Sequence, residues 1–301
     1  VSLTAAQQAI RATGLTATDM VVLSGESLYG QTEHDVYAAK VLGQPEWEDT
    51  EATSIGSELE PIVLRRLSEK IGLHVLPRDP ATMTIRHARV AHHVATPDAW
   101  LAPTRLHDAS AIAQAKVVGL PMARMWGDDE TIESLPVAVV VQCAWEIHVS
   151  GHDVEHVGAM LGTQVRPYVI RRTDVEELIQ ALVETADRFW TDHVLAKVPP
   201  ALDGSAGARR MLDQMYPRNR GTILKATPEA ERWAAIYMKA RTLETVHGSD
   251  KALAGQMLRQ MIGDADGLQG DGWTATARWR EPVTVEAYEK VGYRALDVRR
   301  K

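Results

Sequence analysis

Two stretches decide the reading of this chain: Ala95-Thr-Pro-Asp98 and Ala111-Ile-Ala-Gln-Ala-Lys-Val-Val118. The second is short, mostly apolar and bounded by Asp and Gly, which predicts a strand; Ala91 to Ala95, running into the first, predicts another. Side chains two apart on a strand share a face, so Gln114 and Lys116 both point toward an Asp98 held at a neighbouring strand end. That arrangement is a metal site beside a lysine. Hydrolysis of a phosphodiester needs those parts: a cation that polarises the phosphate, a bound water of lowered pKa, and positive charge near the reacting centre. Asp98, the Ala115 carbonyl and Lys116 would supply them. Taken alone, the pattern also fits an ordinary loop aspartate followed by an edge-strand lysine.

Working outward, Leu73 to Leu76 and Thr82 to Arg86 are further short strands, expected to join the same sheet. Ile55, Leu59, Ile62, Val63 and Leu67 have the spacing of one helical face, and Pro61 is tolerable in a first turn, so a helix is expected from about Ser57. Val154 to Leu161 and Val165 to Ile170, separated by Gly162-Thr-Gln164, predict a hairpin. Thr173 with Glu176 has the form of a capping box, followed by Val175, Leu178, Ile179, Leu182, Ala186 and Phe189 at helical spacing. In Leu135 to Val149, Pro136 suits a first helical position while Val137-Ala-Val-Val-Val141 has strand propensity; helix is favoured. The run Lys197-Val-Pro-Pro-Ala-Leu-Asp-Gly-Ser-Ala-Gly-Ala208 reads as a linker, so the expected domains are 1–196, with alternating helical and extended patterns, and 197–301, mainly helical. In the latter, Thr227-Pro-Glu229 starts one helix, Lys251 to Ile262 forms a second, and Thr274 to Arg280 adds a final strand.

Composition bounds the chemistry. At 301 residues and 45% hydrophobic, the chain has the means to bury a substantial core. No apolar run approaches the length of a membrane span, and Val1 to Ile10 lacks the pattern of a signal peptide, so a cytoplasmic location is expected. One cysteine, Cys143, excludes internal disulfides and thiolate zinc clusters. Oxygen and nitrogen ligands remain, which favour Mg2+ or Mn2+. A net charge of -7 argues against a broadly basic nucleic-acid surface, although Arg65-Arg66, Arg171-Arg172, Arg209-Arg210 and Arg218 with Arg220 form local basic clusters.

Five motifs in a fixed order carry a family resemblance over about the first 190 residues. They are Arg11-Ala-Thr-Gly-Leu-Thr-Ala-Thr18, Ser27-Leu-Tyr-Gly through Gly43, Gly56-Ser-Glu-Leu-Glu60, Thr96-Pro-Asp98 with Gln114-Ala-Lys116, and Gln142. Together they resemble the lambda exonuclease and YqaJ-type viral recombinases of the PD-(D/E)XK nuclease superfamily. The resemblance implies a restriction-endonuclease-like α/β fold: a central mixed sheet flanked by helices, with a mainly helical C-terminal extension. It implies a metal-dependent exonuclease on double-stranded DNA ends, working 5′ to 3′ in phage-type recombination. Asp98, Gln114, Lys116 and Glu60 would be catalytic, with Asp98, Gln114, Ala115 and Glu60 holding Mg2+ or Mn2+. Arg11, Thr18, Thr96 and Gln142 would bind the 5′-phosphate. A single-strand annealing protein is the implied partner, a homo-oligomer the implied assembly, and a bacterial host the implied setting. A structure-specific endonuclease of the same fold and a non-catalytic DNA-end binder are the alternatives.

The chain departs from the pattern at Gln114, where the family has Glu; a neutral amide is a weaker ligand for a hard cation. Three readings fit: a deliberate substitution, a natural variant still using Asp98, Glu60 and a carbonyl, or an inactive end binder. Arg11 and Thr18 would equally serve as a surface arginine and a helix cap. A zinc reading of His148, His152 and His156, with His152-Asp-Val-Glu-His156 similar to H-E-x-x-H, fails because Gly151 and Gly158 break the helix it requires. Trp100, just past Asp98, is a candidate for base stacking, although core packing accounts for most tryptophans.

Overall fold

The computed structural model describes residues 4–43, 50–77, 83–218, 221–242, 248–280, 283–285, 288–290 and 293–300. The chain divides into two compact units, 1–28 with 45–198, and 29–44 with 199–301. In the first unit, helices α1 (Ala5–Ala12) and α2 (Ala17–Leu23) are each opened by a threonine: Gln7 N–H donates to Thr4 Oγ1 and Asp19 N–H to Thr16 Oγ1. Thr16 is therefore the cap of α2, and Thr18 lies inside its first turn.

Helix α4 (Glu51–Ile71) starts at the Thr50 cap, well before Ser57, and carries Pro61 in its interior. Pro61 removes one N–H and crowds the carbonyl four residues back. Its exposed position and a 21-residue helix packed through Val63, Leu64 and Leu67 offset that local cost.

A five-stranded sheet in the order β1-β4-β5-β6-β7 forms the centre, from β1 (His74–Val75), β4 (Ala99–Ala102), β5 (Ala111–Val118), β6 (Val154–Leu161) and β7 (Gln164–Arg171). β5 and β6 run parallel and the other neighbours antiparallel, so the sheet is mixed. The expected strands at 82–86 and 91–95 instead pair with each other, as β2 (Ile85–Arg86) and β3 (Val94–Ala95), in a separate ribbon. Thr82 itself lies outside the described residues. The backbone of β3 is drawn toward α2, since Val94 N–H donates to Leu15 O.

The parallel step from β5 to β6 requires a crossover, and α5 (Val137–Ser150) provides it. The favoured helical reading of that segment holds. Alternation along β5 assigns the two faces. Ala111 and Ala113 pack with Leu64 and Leu67 of α4, which leaves Ile112, Gln114 and Lys116 on the α5 side. Gly158 of β6 lets α4 come close: a Cβ there would stand 3.1 Å from Val63 Cγ1 and 3.2 Å from Leu67 Cβ.

The β6–β7 hairpin and α6 (Arg172–Phe189) follow the expected plan, with one change at the cap. The strand runs directly into the helix, and Arg171 N–H donates to Asp174 Oδ2, so Asp174 does the work expected of the Thr173–Glu176 pair.

In the second unit, α3 (Glu33–Tyr37) packs with α7 (Ala206–Met215), where Arg210 grips Asp35 through two 2.7 Å hydrogen bonds. α8 (Pro228–Thr242) and α9 (Gly248–Ile262) pack beside a four-stranded sheet in the order β13-β10-β9-β8. Its strands are β8 (Ile223–Lys225), β9 (Gly267–Gly270), β10 (Trp273–Arg280) and β13 (Tyr293–Arg300). This unit holds more strand than its mainly helical reading anticipates, because glycines mask β9 and paired polar residues mask β13. A final pair, β11 (Val283–Val285) with β12 (Tyr288–Lys290), is antiparallel.

Candidate active site

The junction between Asp98 and β5 is closed by three hydrogen bonds. Asp98 N–H donates to Ala113 O at 3.0 Å, while Asp98 Oδ2 accepts from Ala115 N–H at 2.8 Å and from Gln114 Nε2 at 2.6 Å. The Asp98 carboxylate is thereby fixed at the edge of β5, as the shared-face argument requires. Gln114 is 5% exposed, and its Oε1 is buried without a donor. An amide N–H2 here bridges to Asp98 where a second carboxylate would repel it.

Two residues further along the same face, Lys116 Nζ donates to Gln142 Oε1 at 2.7 Å, and Gln142 Nε2 donates to Glu146 Oε1 at 3.0 Å. Strand β5 and helix α5 therefore share one polar chain, from lysine to glutamine to glutamate. Behind it stands Glu155 of β6, in register with Ile112 and so on the same face of the sheet. Glu146 and Glu155 are 1% and 0% exposed. Burial, then the charge of Asp98, pushes Glu146 up to about 7, against the opposing pull of Gln142, Glu155 and Lys116. Burial and the neighbouring Glu146 hold Glu155 well above the carboxylate range, and burial pushes the Cys143 thiol up as well.

The residues expected at the 5′-phosphate fall into two groups. Arg11, 9% exposed, reaches Thr96 Oγ1 at 3.5 Å, and Thr96 Oγ1 lies 3.1 Å from Thr84 Oγ1. Gln142 belongs to the lysine chain, and Thr18 sits half-buried in the first turn of α2. Glu60 is half-buried on α4, the helix covering the other face of the sheet. Gln114, Lys116 and Gln142 are thus brought together with Asp98, and Arg11 is brought to Thr96. Sequence reasoning passed over Glu146 and Glu155, although a glutamate one helical turn past Gln142 inside an apolar run was a usable signal.

The histidines expected least to act together do not. His148 lies on α5, His152 beyond its end and His156 on β6. Another set gathers: His93 Nδ1 is 3.0 Å from His148 Nε2, His93 Nε2 is 3.1 Å from Asp187 Oδ1, and His87 stacks on His148. Among the basic clusters, Arg66, Arg172 and Arg210 pair with Glu69, Asp153 and Asp35; Arg220 lies outside the described residues. Trp100 packs near His152, ring centroids 5.4 Å apart.

Comparison with known proteins shows what this segment is similar to. Residues 7–153, which include every candidate site residue from Arg11 to Gln142, match the YqaJ-like viral recombinase domain. Over this segment the chain is similar to that family. A curated relative, the uncharacterized protein YqaJ of Bacillus subtilis (strain 168), is 24% identical over 257 residues, 83% of this chain and 76% of that protein. Among solved structures, an alkaline exonuclease (LHK-Exo) from Laribacter hongkongensis is similar at 17% identity over 64% of this chain and 94% of that one, with a TM-score of 0.48. A phage-related exonuclease from Haemophilus somnus 129PT is similar at 12% identity, covering 62% of this chain and 96% of that one, TM-score 0.45. No described helix of the chain is long and apolar enough to cross a membrane.

Proposed function

We propose that this chain is a Mg2+- or Mn2+-dependent exonuclease of double-stranded DNA ends, digesting one strand 5′ to 3′ to feed phage-type recombination. The observation that carries the reading is the Asp98 carboxylate bound to the β5 edge, with Lys116 held on the same face by Gln142. The donor set suits a hard cation: it is all oxygen, and Gln114 Oε1 is buried without a donor. Asp98, Gln114, the Ala115 carbonyl and Glu60 would hold the ion, which supplies an activated water and charge neutralisation at the phosphate.

The chain's own groups do the rest. Gln142 keeps the Lys116 ammonium in one position, so its charge is already oriented toward a scissile phosphate before DNA arrives. Arg11, with Thr96 beside it, offers a guanidinium and a hydroxyl to a terminal phosphate, and Thr18 and Gln142 add neutral donors. A single-strand annealing protein, a homo-oligomer and the cytoplasm of a bacterial host are the partner, assembly and setting that go with this reading.

The second reading, a DNA-end binder that does not cut, is favoured by the Gln114 amide already satisfying Asp98. Linear duplex labelled at one end, with and without a 5′-phosphate, separates the readings. The exonuclease releases labelled mononucleotides in Mg2+ and prefers the phosphorylated end. Long internal fragments indicate an endonuclease of the same fold, and retention of intact duplex at all Mg2+ and Mn2+ concentrations indicates the binder.

A further inference from the structure

The site holds a carboxylate that neither the family motifs nor the phosphate-binding set uses. Gln142 of α5 stands over Lys116 of β5, bonded to it at 2.7 Å. Moving one helical turn to Glu146 advances about 6 Å along α5, and moving two residues back to Gln114 retreats about 6.6 Å along β5. Glu155, which interacts electrostatically with Glu146, is in register with Ile112, so helix and strand run in opposite directions here. Glu146 consequently stands at the level of Gln114, as Gln142 stands at the level of Lys116.

Both partners at that level have unmet acceptors. Gln114 Oε1 and Glu146 Oε2 are buried with no hydrogen-bond donor, while Asp98 acts on Glu146 as a neighbouring like charge. A buried acceptor left unpaired costs on the order of 1–3 kcal/mol, and more when charged. Three carboxyl groups, Asp98, Glu146 and Glu155, stand in this wall beside the Lys116 ammonium. Unpartnered buried oxygens at one level, flanked by carboxyl groups, are the ligand type a hard divalent cation takes.

We infer that Glu146 supplies the charged oxygen ligand that Gln114 lacks, so that Asp98, the Gln114 amide oxygen and Glu146 together bind a divalent cation. The charge has moved from the strand to the facing helix. The inference rests on the cation-dependent reading proposed above and deepens it: Gln114 is then compatible with a working enzyme, because its carbonyl still ligates while Glu146 brings the charge.

Mn2+ binding to the full chain, measured by electron paramagnetic resonance and calorimetry alongside Mn2+-dependent cleavage of linear duplex, tests it. The isosteric Glu146→Gln variant should weaken Mn2+ binding by about tenfold or more. Adding Gln114→Glu to that variant should restore binding, since it returns the charge to the strand; recovery also shows that the variant is folded. Mn2+ binding and cleavage by Glu146→Gln at native levels would overturn the Glu146 assignment and leave the nuclease reading standing. Binding that appears only after Gln114→Glu, with the native chain silent, also overturns it. If neither the native chain nor Gln114→Glu binds Mn2+ or cuts DNA, and Asp98→Asn changes nothing, both the assignment and the nuclease reading fall.

Discussion

Helix α5 buries polar side chains on two flanks, and it treats them in opposite ways. On the flank facing β5, Gln142 and Glu146 join Lys116, with acceptors left over: Gln114 Oε1, Glu146 Oε2 and both oxygens of Glu155 have no donor. Two residues further, about 200° around the helix, His148 enters a network that is nearly closed. His93 uses both ring nitrogens, one with His148 and one with Asp187, and His92 shares Asp187 at 2.8 Å. His87 Nδ1 is the one ring nitrogen of this group buried without a partner. Closed polar networks fix a structure, whereas surplus buried acceptors raise the free energy of the empty protein and await a ligand. On the proposed reading the first flank serves chemistry, while the second holds β3 and α6 against α5.

The largest effect should come from breaking the open flank at its cation. Lys116→Ala removes the positive charge beside Asp98 and is expected to lower the rate of duplex digestion by about 10²–10³-fold, the range for losing one preorganised charge stabiliser. Nucleotide release in Mg2+ measures it, and a rate within threefold of native would place the lysine outside the chemistry. Gln142→Ala comes next, at about tenfold, because it frees Lys116 without deleting it. If Gln142 also meets the terminal phosphate, the advantage of a 5′-phosphorylated end shrinks in the same variant; an unchanged preference would confine its role to orienting the lysine.

What the sequence disclosed follows the same division. The shared face of Gln114 and Lys116 beside Asp98 was legible because strand alternation is a two-residue rule, while their catalytic role rested on the family resemblance. The hairpin and α6 were legible through turn residues and a clean apolar period. α5 was ambiguous for a physical reason: Val139, Val141, Cys143, Ala144, Trp145, Glu146, Ile147 and Val149 are all buried, so no polar stripe marks its helical period. The same burial hid Glu146 in an apolar run. Glu155 was hidden differently, by charged neighbours that made His152-Asp-Val-Glu-His156 look like surface. The early start of α4 was lost to the rule that proline opens helices, which tertiary packing overrode at Pro61. The ribbon of β2 and β3 was assigned to the main sheet because short strands carry no sign of their partners. In the second unit, β9 escaped because glycine at both ends reads as turn.

The closed flank predicts smaller effects, on stability alone. His93→Ala removes the fully buried centre of the network and strands a donor on His148 and an acceptor on Asp187, at a cost of about 2 kcal/mol in urea unfolding. Its pH dependence is the finer test. Burial, then the positive charge that His92 would carry, lowers His93 to about 4, with Asp187 pulling the other way; burial, His87 and Arg172 lower His148 to about 4. An unfolded histidine titrates near about 6.5, so between that value and about 4 the unfolded chain takes up more protons than the folded one. The contribution of these neutral histidines is complete above the upper value and is lost as pH falls through the window. Stability measured by urea at pH 7 and pH 5 should therefore drop, and His93→Ala should flatten the slope. Asp187→Asn sharpens the comparison, because removing the one carboxylate that favours protonated His93 lowers its pKa further, so the acid loss still begins near the unfolded value but extends to lower pH. A slope that is identical in native protein and both variants would mean that the network does not titrate as a unit, and the contrast between the two flanks would then rest on the open side alone.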